Sequence, residues 1–289
     1  MAEAQPGTVA APEERGSYGF RIAGLSDEAG FLGPASPDWP LLQIARASVP
    51  AGAPRGPGAG TVRVDEHTAR LWIGERDWVE VDRATLTVRF ATREPLSDQA
   101  ILHPFLGLPA SFASHWLGRQ VFHGGAFVLA GGAWALLGDK EVGKSSTLGA
   151  LLGRRFDVLS DDILVVDGTT LFAGPRCVDL RDEAAAVLGG ERLGIVGSRE
   201  RWRLHSGDVG ASASLAGVIH LEWGDRVAIE PLAAPQRLLG LITHSVVRPG
   251  AGAALALLEL AVLPTWRFVR PRDLGALDGA LSELLDALG

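Results

Sequence analysis

Residues 138–146 read GDKEVGKSS and hold both lysines of the chain, Lys140 and Lys144. Gly138, Asp139, Lys140, Glu141, Val142, Gly143, Lys144 and Ser145 fit the pattern Gly-x-x-x-x-Gly-Lys-[Ser/Thr], and Ser146 follows at once. Such a stretch binds nucleotide phosphates for physical reasons. Glycines let the backbone curl so that successive N–H groups face phosphate oxygens, and a helix starting there adds its positive end. Lys144 supplies a compact ammonium for the β/γ-phosphates, and the Ser145 hydroxyl can ligate Mg²⁺. At this chain's own residue frequencies the pattern would arise by chance roughly 0.003 times. A nucleotide with Mg²⁺ is the expected ligand. ATP is favoured because the Asn-Lys-x-Asp motif that reads guanine needs a lysine, and none exists outside this loop.

Phosphoryl chemistry also requires a carboxylate, and two candidates follow the loop. ILVVD, ending at Asp167, imitates a strand that terminates on a metal-binding acid, but Asp167 precedes Gly168 and reads as a hairpin-turn residue. LSDD sets Asp161 and Asp162 side by side, where two like charges repel unless metal, metal-bound phosphate or a substrate proton balances them. The adjacent pair is the favoured site. His123, in VFHGGAF, falls on the strand expected beside the loop's own strand; taken alone it reads as a packed core residue. His103, His115, His205, His220 and His244 show no metal-ligand spacing and read as structural.

The elements that would position these groups are legible in outline. GAWALL before the loop is strand-like, and SSTLGALL after it is helix-like, with Leu148, Leu151 and Leu152 apolar. The uncharged run 121–138 reads as two strands turning at Gly131-Gly132, being too short and glycine-rich to span a bilayer. FDVLSDDILVVDGTTLFAG reads as strands with a tight turn at Asp167-Gly168, and LAGVIHLEW and RVAIEPL as further strands. AALALLEL and DLGALDGALSELLDAL read as helices, the second with Leu274, Leu277, Leu281, Leu284, Leu285 and Leu288 on one stripe. Upstream, residues 97–118 suggest helical segments capped by Ser97 and broken at Pro109. Earlier still, Val62/Val64, Leu71/Ile73, Val79/Val81 and Leu86/Val88/Phe90 alternate like a small sheet, and VPAGAPRGPGAG reads as a flexible loop. An α/β fold is expected, with a disordered lead at 1–16, a β-rich domain at 17–97 and the nucleotide-binding domain at 98–289.

Composition removes several function classes. A net charge of -7 and a pI near 5.5 argue against broad nucleic-acid or anionic-membrane surfaces. The one cysteine, Cys177, excludes an internal disulfide, and the first residues do not read as a signal peptide; a cytoplasmic location is expected. No Ser-Gly-Gly-Gln, His-Arg-Asp or Asp-Phe-Gly occurs, which argues against ABC-type ATPases and ordinary protein kinases.

Together FHGG, a short hairpin, GDKEVGKSS, one helix and LSDD resemble the HPr kinase/phosphorylase superfamily, whose fold is related to phosphoenolpyruvate carboxykinase. AGPRCVDL is similar to the proline-containing segment that follows the double acid in these kinases, and SVVRPG to their C-terminal Val-[Arg/Lys]-Pro-Gly stretch. The resemblance implies that Asp162 takes the acceptor hydroxyl proton, that Lys144 and the loop amides hold ATP, that Ser145 and Asp161 lie near Mg²⁺, and that His123 stands beside the transfer centre. The chain departs from the family where Ala251 and Gly252 replace arginine and asparagine, and where Glu191-Arg192-Leu193-Gly194 only partly matches Glu-x-Arg-Gly-Leu-Gly. It is more similar to the shortened serine kinases that act on ribosomally made peptides, lasso-peptide precursors among them. A peptide or small-protein acceptor is therefore expected, and a homo-oligomer is allowed. An ATP-dependent switch without transfer, or a kinase of a small alcohol, are the competing readings.

Overall fold

The computed structural model describes residues 14–27, 30–248 and 251–289. Eight short strands come first: β1 (Arg15–Ser17), β2 (Phe20–Ala23), β3 (Gly33–Pro34), β4 (Leu41–Ser48), β5 (Val62–Val64), β6 (Thr68–Trp72), β7 (Trp78–Asp82) and β8 (Thr87–Thr92). They form one sheet in the order β3-β1-β2-β4-β8-β7-β6-β5. Leu71, Val79, Val81, Val88 and Phe90 are buried, as their alternation predicts, whereas Val62 and Val64 on the edge strand β5 are exposed. Residues 1–13 of the expected lead lie outside the described residues. Its last members, Arg15 and Gly16, belong to β1 instead, because Tyr18 and Gly19 take left-handed backbone (φ 57° and 74°) and fold β1 back on β2.

The next segment breaks at a different proline from the one expected. Helix α1 (Asp98–Ala100) is capped by Ser97, whose Oγ accepts from the Ala100 amide at 3.2 Å, and α2 spans Gly107–Trp116. Between them His103 is extended (φ −151°, ψ 125°), since the Pro104 ring disfavours helical backbone in the residue before it. Pro109 sits in the first turn of α2, where a missing N–H costs nothing.

The remaining elements carry the nucleotide motif. They are β9 (Gln120–Leu129), β10 (Gly132–Leu137), α3 (Lys144–Gly153), β11 (Val158–Ser160), β12 (Ile163–Asp167), β13 (Thr170–Phe172), β14 (Cys177–Leu180), α4 (Asp182–Leu188), β15 (Glu191–Val196) and β16 (Arg199–His205). After these come β17 (Ser212–Trp223), β18 (Ala228–Pro231), α5 (Ala234–His244), α6 (Ala254–Ala261), β19 (Thr265–Arg270) and α7 (Leu277–Leu288). The β9–β10 turn falls on Ala130-Gly131, one residue earlier than expected, because Gly132 already pairs with Leu129. The chain is a mixed α/β protein. Among the described residues, no helix is long and apolar enough to cross a membrane.

Strands β10, β17 and β19 run parallel, with Leu137 opposite His220 and Trp223 opposite Arg270. Their C-terminal ends therefore share one edge, the position at which open α/β sheets bind ligands. Side chains alternate across this sheet. Trp134 and Leu136 cluster with Leu148 and Leu151 of α3 and with Leu281 and Leu284 of α7. Ala133, Ala135 and Leu137 cluster with Leu241 of α5 and with Leu257 and Leu260 of α6. A third core joins Phe20, Leu42, Val88 and Phe90 of the first sheet to Val121, Ile163 and Val165 on β9 and β12.

Strand β9 links these parts, pairing with β12 through its first half and with β10 through its second. Its Gly124-Gly125 pair permits that closeness. A Cβ on Gly124 would lie 2.6 Å from the Leu136 carbonyl oxygen, and one on Gly125 would lie 2.4 Å from Leu148 Cδ1. Forcing a methyl against backbone separates two paired strands, and overpacking of this kind costs about 1–3 kcal/mol. Gly124→Ala should lower the urea-unfolding free energy by that amount; an unshifted midpoint would show that the sheet accommodates the methyl.

Candidate active site

The loop between β10 and α3 projects from the shared C-terminal edge, and Lys144 is the first residue of α3. Gly143, the residue ahead of the helix, is left-handed (φ 87°), which any Cβ would strain. Val142 is buried and anchors the loop, while Asp139, Lys140 and Glu141 are exposed. Glu141 pairs with Arg181 at 2.7 Å.

Lys144 is 8% exposed and donates to two carbonyls of its own loop, Gly138 at 2.7 Å and Asp139 at 2.9 Å. Among the described residues no carboxylate lies within ion-pair distance of it. Burial pulls its pKa below the ordinary lysine value, against the attraction of Asp162, Asp161 and Asp139. A buried ammonium that meets only carbonyls has positive charge left for an anion.

Across the loop, the Ser145 hydroxyl is 3.0 Å from Asp161 Oδ1. Asp161 is 3% exposed, and burial, then the charges of Asp162 and Asp179, push its pKa up to about 7. Asp162 is instead nearly half exposed, with Oδ1 3.4 Å from His123 Nδ1. The neighbours separate because Asp162 is left-handed (φ 74°), a conformation aspartate tolerates better than most residues. One acid turns inward to Ser145, and the other opens outward beside His123. Burial holds the His123 imidazole below its usual pKa against the pull of Asp162, so it is neutral at pH 7. Ser145 and Asp161 thus offer adjacent hard oxygen donors, a set that fits Mg²⁺.

Behind Asp161 lies a buried network. Asp179 receives Arg203 Nε at 2.7 Å and Nη2 at 2.9 Å, with Arg201 Nη1 at 3.4 Å. Burial raises the Asp179 carboxyl, but the Arg203 hydrogen bonds and both arginine charges bring it below the ordinary value. The Asp179 amide also reaches Asp161 Oδ2 at 3.4 Å, tying the network to the acid pair. His103, Cys177 and Asp179 converge within 4.8 Å of one another, yet Arg203 occupies both Asp179 oxygens and stands where a cation would. Burial keeps His103 neutral and raises the Cys177 thiol far above its usual range.

The structure brings Lys144, Ser145, Asp161, Asp162 and His123 to one place, and Ser146 lies on the first turn of α3. Asp167 is not among them. It ends β12, is 62% exposed and lies 3.7 Å from Arg119, with the hairpin turn falling on the two residues after it. Three neighbours of the candidate site were not legible from spacing. Arg270 Nη2 reaches the Gly143 carbonyl at 3.3 Å and Thr147 Oγ1 at 3.1 Å, with its guanidinium over the Trp223 ring at 4.4 Å. His244 lies near enough to Lys144, Asp139 and His123 to feel their charges, although burial is the main cause of its lowered pKa. A buried Tyr18 hydroxyl is raised well above its usual pKa by burial and by the charge of Asp162. An arginine closing the strand TWRFVR was the one local signal for any of these.

No family model and no curated protein matches the chain. Among solved structures, the HPr(Ser) kinase/phosphatase from Coxiella burnetii is similar at 12% identity and a TM-score of 0.29, covering 59% of this chain and 99% of that one. At that score the likeness carries no weight for function, and the site stands on its own geometry.

Removing Arg203 would leave Asp179 buried with only Arg201 and neutral His103 beside it. Breaking a buried pair in this way costs about 3–5 kcal/mol. Arg203→Met should lose stability of that order in denaturant unfolding, and a loss below 1 kcal/mol would mean that Arg201 fully replaces it.

Proposed function

We propose that the protein is an ATP- and Mg²⁺-dependent kinase that passes the γ-phosphoryl group to a serine or threonine hydroxyl of a peptide or small protein, such as a lasso-peptide precursor. The observation that carries this reading is the division of labour between adjacent acids: Asp161 buried on Ser145, Asp162 open beside His123. The loop amides and Lys144 hold the phosphates. Ser145 and Asp161 would hold Mg²⁺, which supplies charge neutralisation on the phosphate oxygens. Asp162 accepts the hydroxyl proton as the acceptor oxygen bonds to the γ-phosphorus and the bond to the bridging oxygen of ADP breaks. His123, neutral and within 3.4 Å, steers the Asp162 carboxylate and does not itself hold metal. The peptide acceptor is supported by the sequence resemblance alone, because phosphoryl transfer is mainly positioning and the same acid would serve any hydroxyl it reaches.

Lys144→Ala should abolish nucleotide binding, and undiminished ATP turnover in that variant would refute the site. Asp162→Asn should bind ATP normally yet transfer phosphate about 10²–10⁴-fold more slowly in single-turnover assays. His123→Ala should show a smaller loss. If Asp167→Asn abolished transfer while Asp162→Asn did not, the roles of the two acids would have to be reassigned. The acceptor is found by incubating the protein with labelled ATP, Mg²⁺ and peptides encoded beside its gene, followed by mass analysis. A phosphopeptide is expected. Phosphate on a metabolite alone would overturn the peptide, and hydrolysis with no phosphorylated acceptor would mark an ATP-driven switch.

A further inference from the structure

Trp223 and Arg270 end neighbouring parallel strands and face each other in register on the edge that carries the phosphate loop. Arg270 is among the most deeply buried large side chains, 2% exposed, and no carboxylate pairs with it among the described residues. Its Nη2 is spent on the Gly143 carbonyl and on Thr147, while its Nε is buried without a hydrogen-bond partner. Burial lowers its pKa to about 10. The guanidinium lies over the indole, with its central carbon 4.4 Å from the ring centroid. The pair also abuts the loop itself, for a Cβ on Gly143 would lie 2.5 Å from Arg270 Nη2 and 3.0 Å from Trp223 Cη2. Arg270 covers one face of the ring, yet Trp223 remains 37% exposed, the only tryptophan among the exposed large hydrophobic residues described.

We propose that the exposed indole of Trp223 is the stacking platform for the nucleotide base, held in place from behind by Arg270. The inference rests on the phosphate-loop reading and adds the part of the ligand that the loop cannot recognise. A Gly-x-x-x-x-Gly-Lys-Ser loop binds only phosphate, and the affinity of ATP over bare triphosphate must come from groups that meet the base and sugar. An aromatic face beside the loop supplies such a group. Its cation partner makes it rigid, so little ordering is required when a base arrives. Stacking on an aromatic side chain tolerates any base, so Trp223 provides affinity for a base without choosing adenine over guanine.

The test compares ATP with inorganic tripolyphosphate, both with Mg²⁺, by calorimetry on the full chain and on its Trp223→Ala and Trp223→Phe variants. The unsubstituted protein should bind ATP more tightly than tripolyphosphate. Trp223→Ala should weaken ATP by roughly 10- to 100-fold, the range base–aromatic stacking supports, and leave tripolyphosphate unchanged. Trp223→Phe should keep most of the ATP affinity. If the ATP preference survives in Trp223→Ala, the platform is wrong while the phosphate loop stands. Equal weakening of both ligands would show that Trp223 acts only by shaping the loop, which also overturns the proposal. If the unsubstituted protein binds neither ligand, the phosphate-loop reading itself fails. Should thermal melting show that Trp223→Ala does not fold, Trp223→Leu, which keeps bulk without an aromatic face, is read in the same way.

Discussion

A buried ammonium without a carboxylate is the constraint around which this molecule is arranged. Taking a charge out of water costs several kcal/mol even after relaxation, and a single nearby carboxylate would relieve most of it. Lys144 is given two carbonyls instead, at 2.7 and 2.9 Å, while Asp161 is committed to Ser145 and Asp162 stands beside His123. Arg270 repeats the pattern beside Gly143, with a carbonyl and a hydroxyl as partners. The positive end of α3 adds to these two cations at the loop, in a chain whose net charge is -7. An anion bound there is attracted by its surroundings without any general basic surface.

Holding that charge out of reach of the acids demands a stiff frame, and two long strands provide it. Strand β9 pairs with β12 and β10 in turn, and β17 pairs with β13 before joining β10 and β19. Asp162 is fixed at the start of β12, where its carbonyl accepts from the Gly124 amide at 3.1 Å on the same β9 that carries His123. The acid and its imidazole partner are thus one ladder step apart. The first sheet packs against β9 and β12, so residues 15–92 buttress the strands that hold the acids.

Much of the site was legible because it is local. The loop, the strand before it, the helix after it and the Asp161-Asp162 pair all fall within 45 residues, and each has its own signature in residue type or period. The turn expected at Asp167-Gly168 falls one residue later, because Asp167 still pairs with Thr170 at the end of β12. The unread parts are all non-local. Arg203 meets Asp179 across 24 residues and Arg270 meets Gly143 across 127, and nothing in a single sequence marks such a pair. Strand β4 was hidden by composition, since Leu42 and Ile44 alternate within a stretch whose proline, glycine and alanine resemble a loop. Pro109 misled because a proline in a first helical turn looks identical, in sequence, to one that ends a helix.

The two lysines differ sharply in access. Lys140 stands at the exposed tip of the loop, and Lys144 is closed beneath it with its nitrogen on two carbonyls. Apart from the α-amino group, these are the only primary amines in the protein. An amine-selective acylating reagent applied to the native fold therefore finds Lys140 at once, and reaches Lys144 only where its two carbonyl contacts are broken. The ratio of label at the two positions becomes a direct chemical measure of how often the loop releases Lys144, one that needs no engineered probe and has no background from the rest of the chain's side chains.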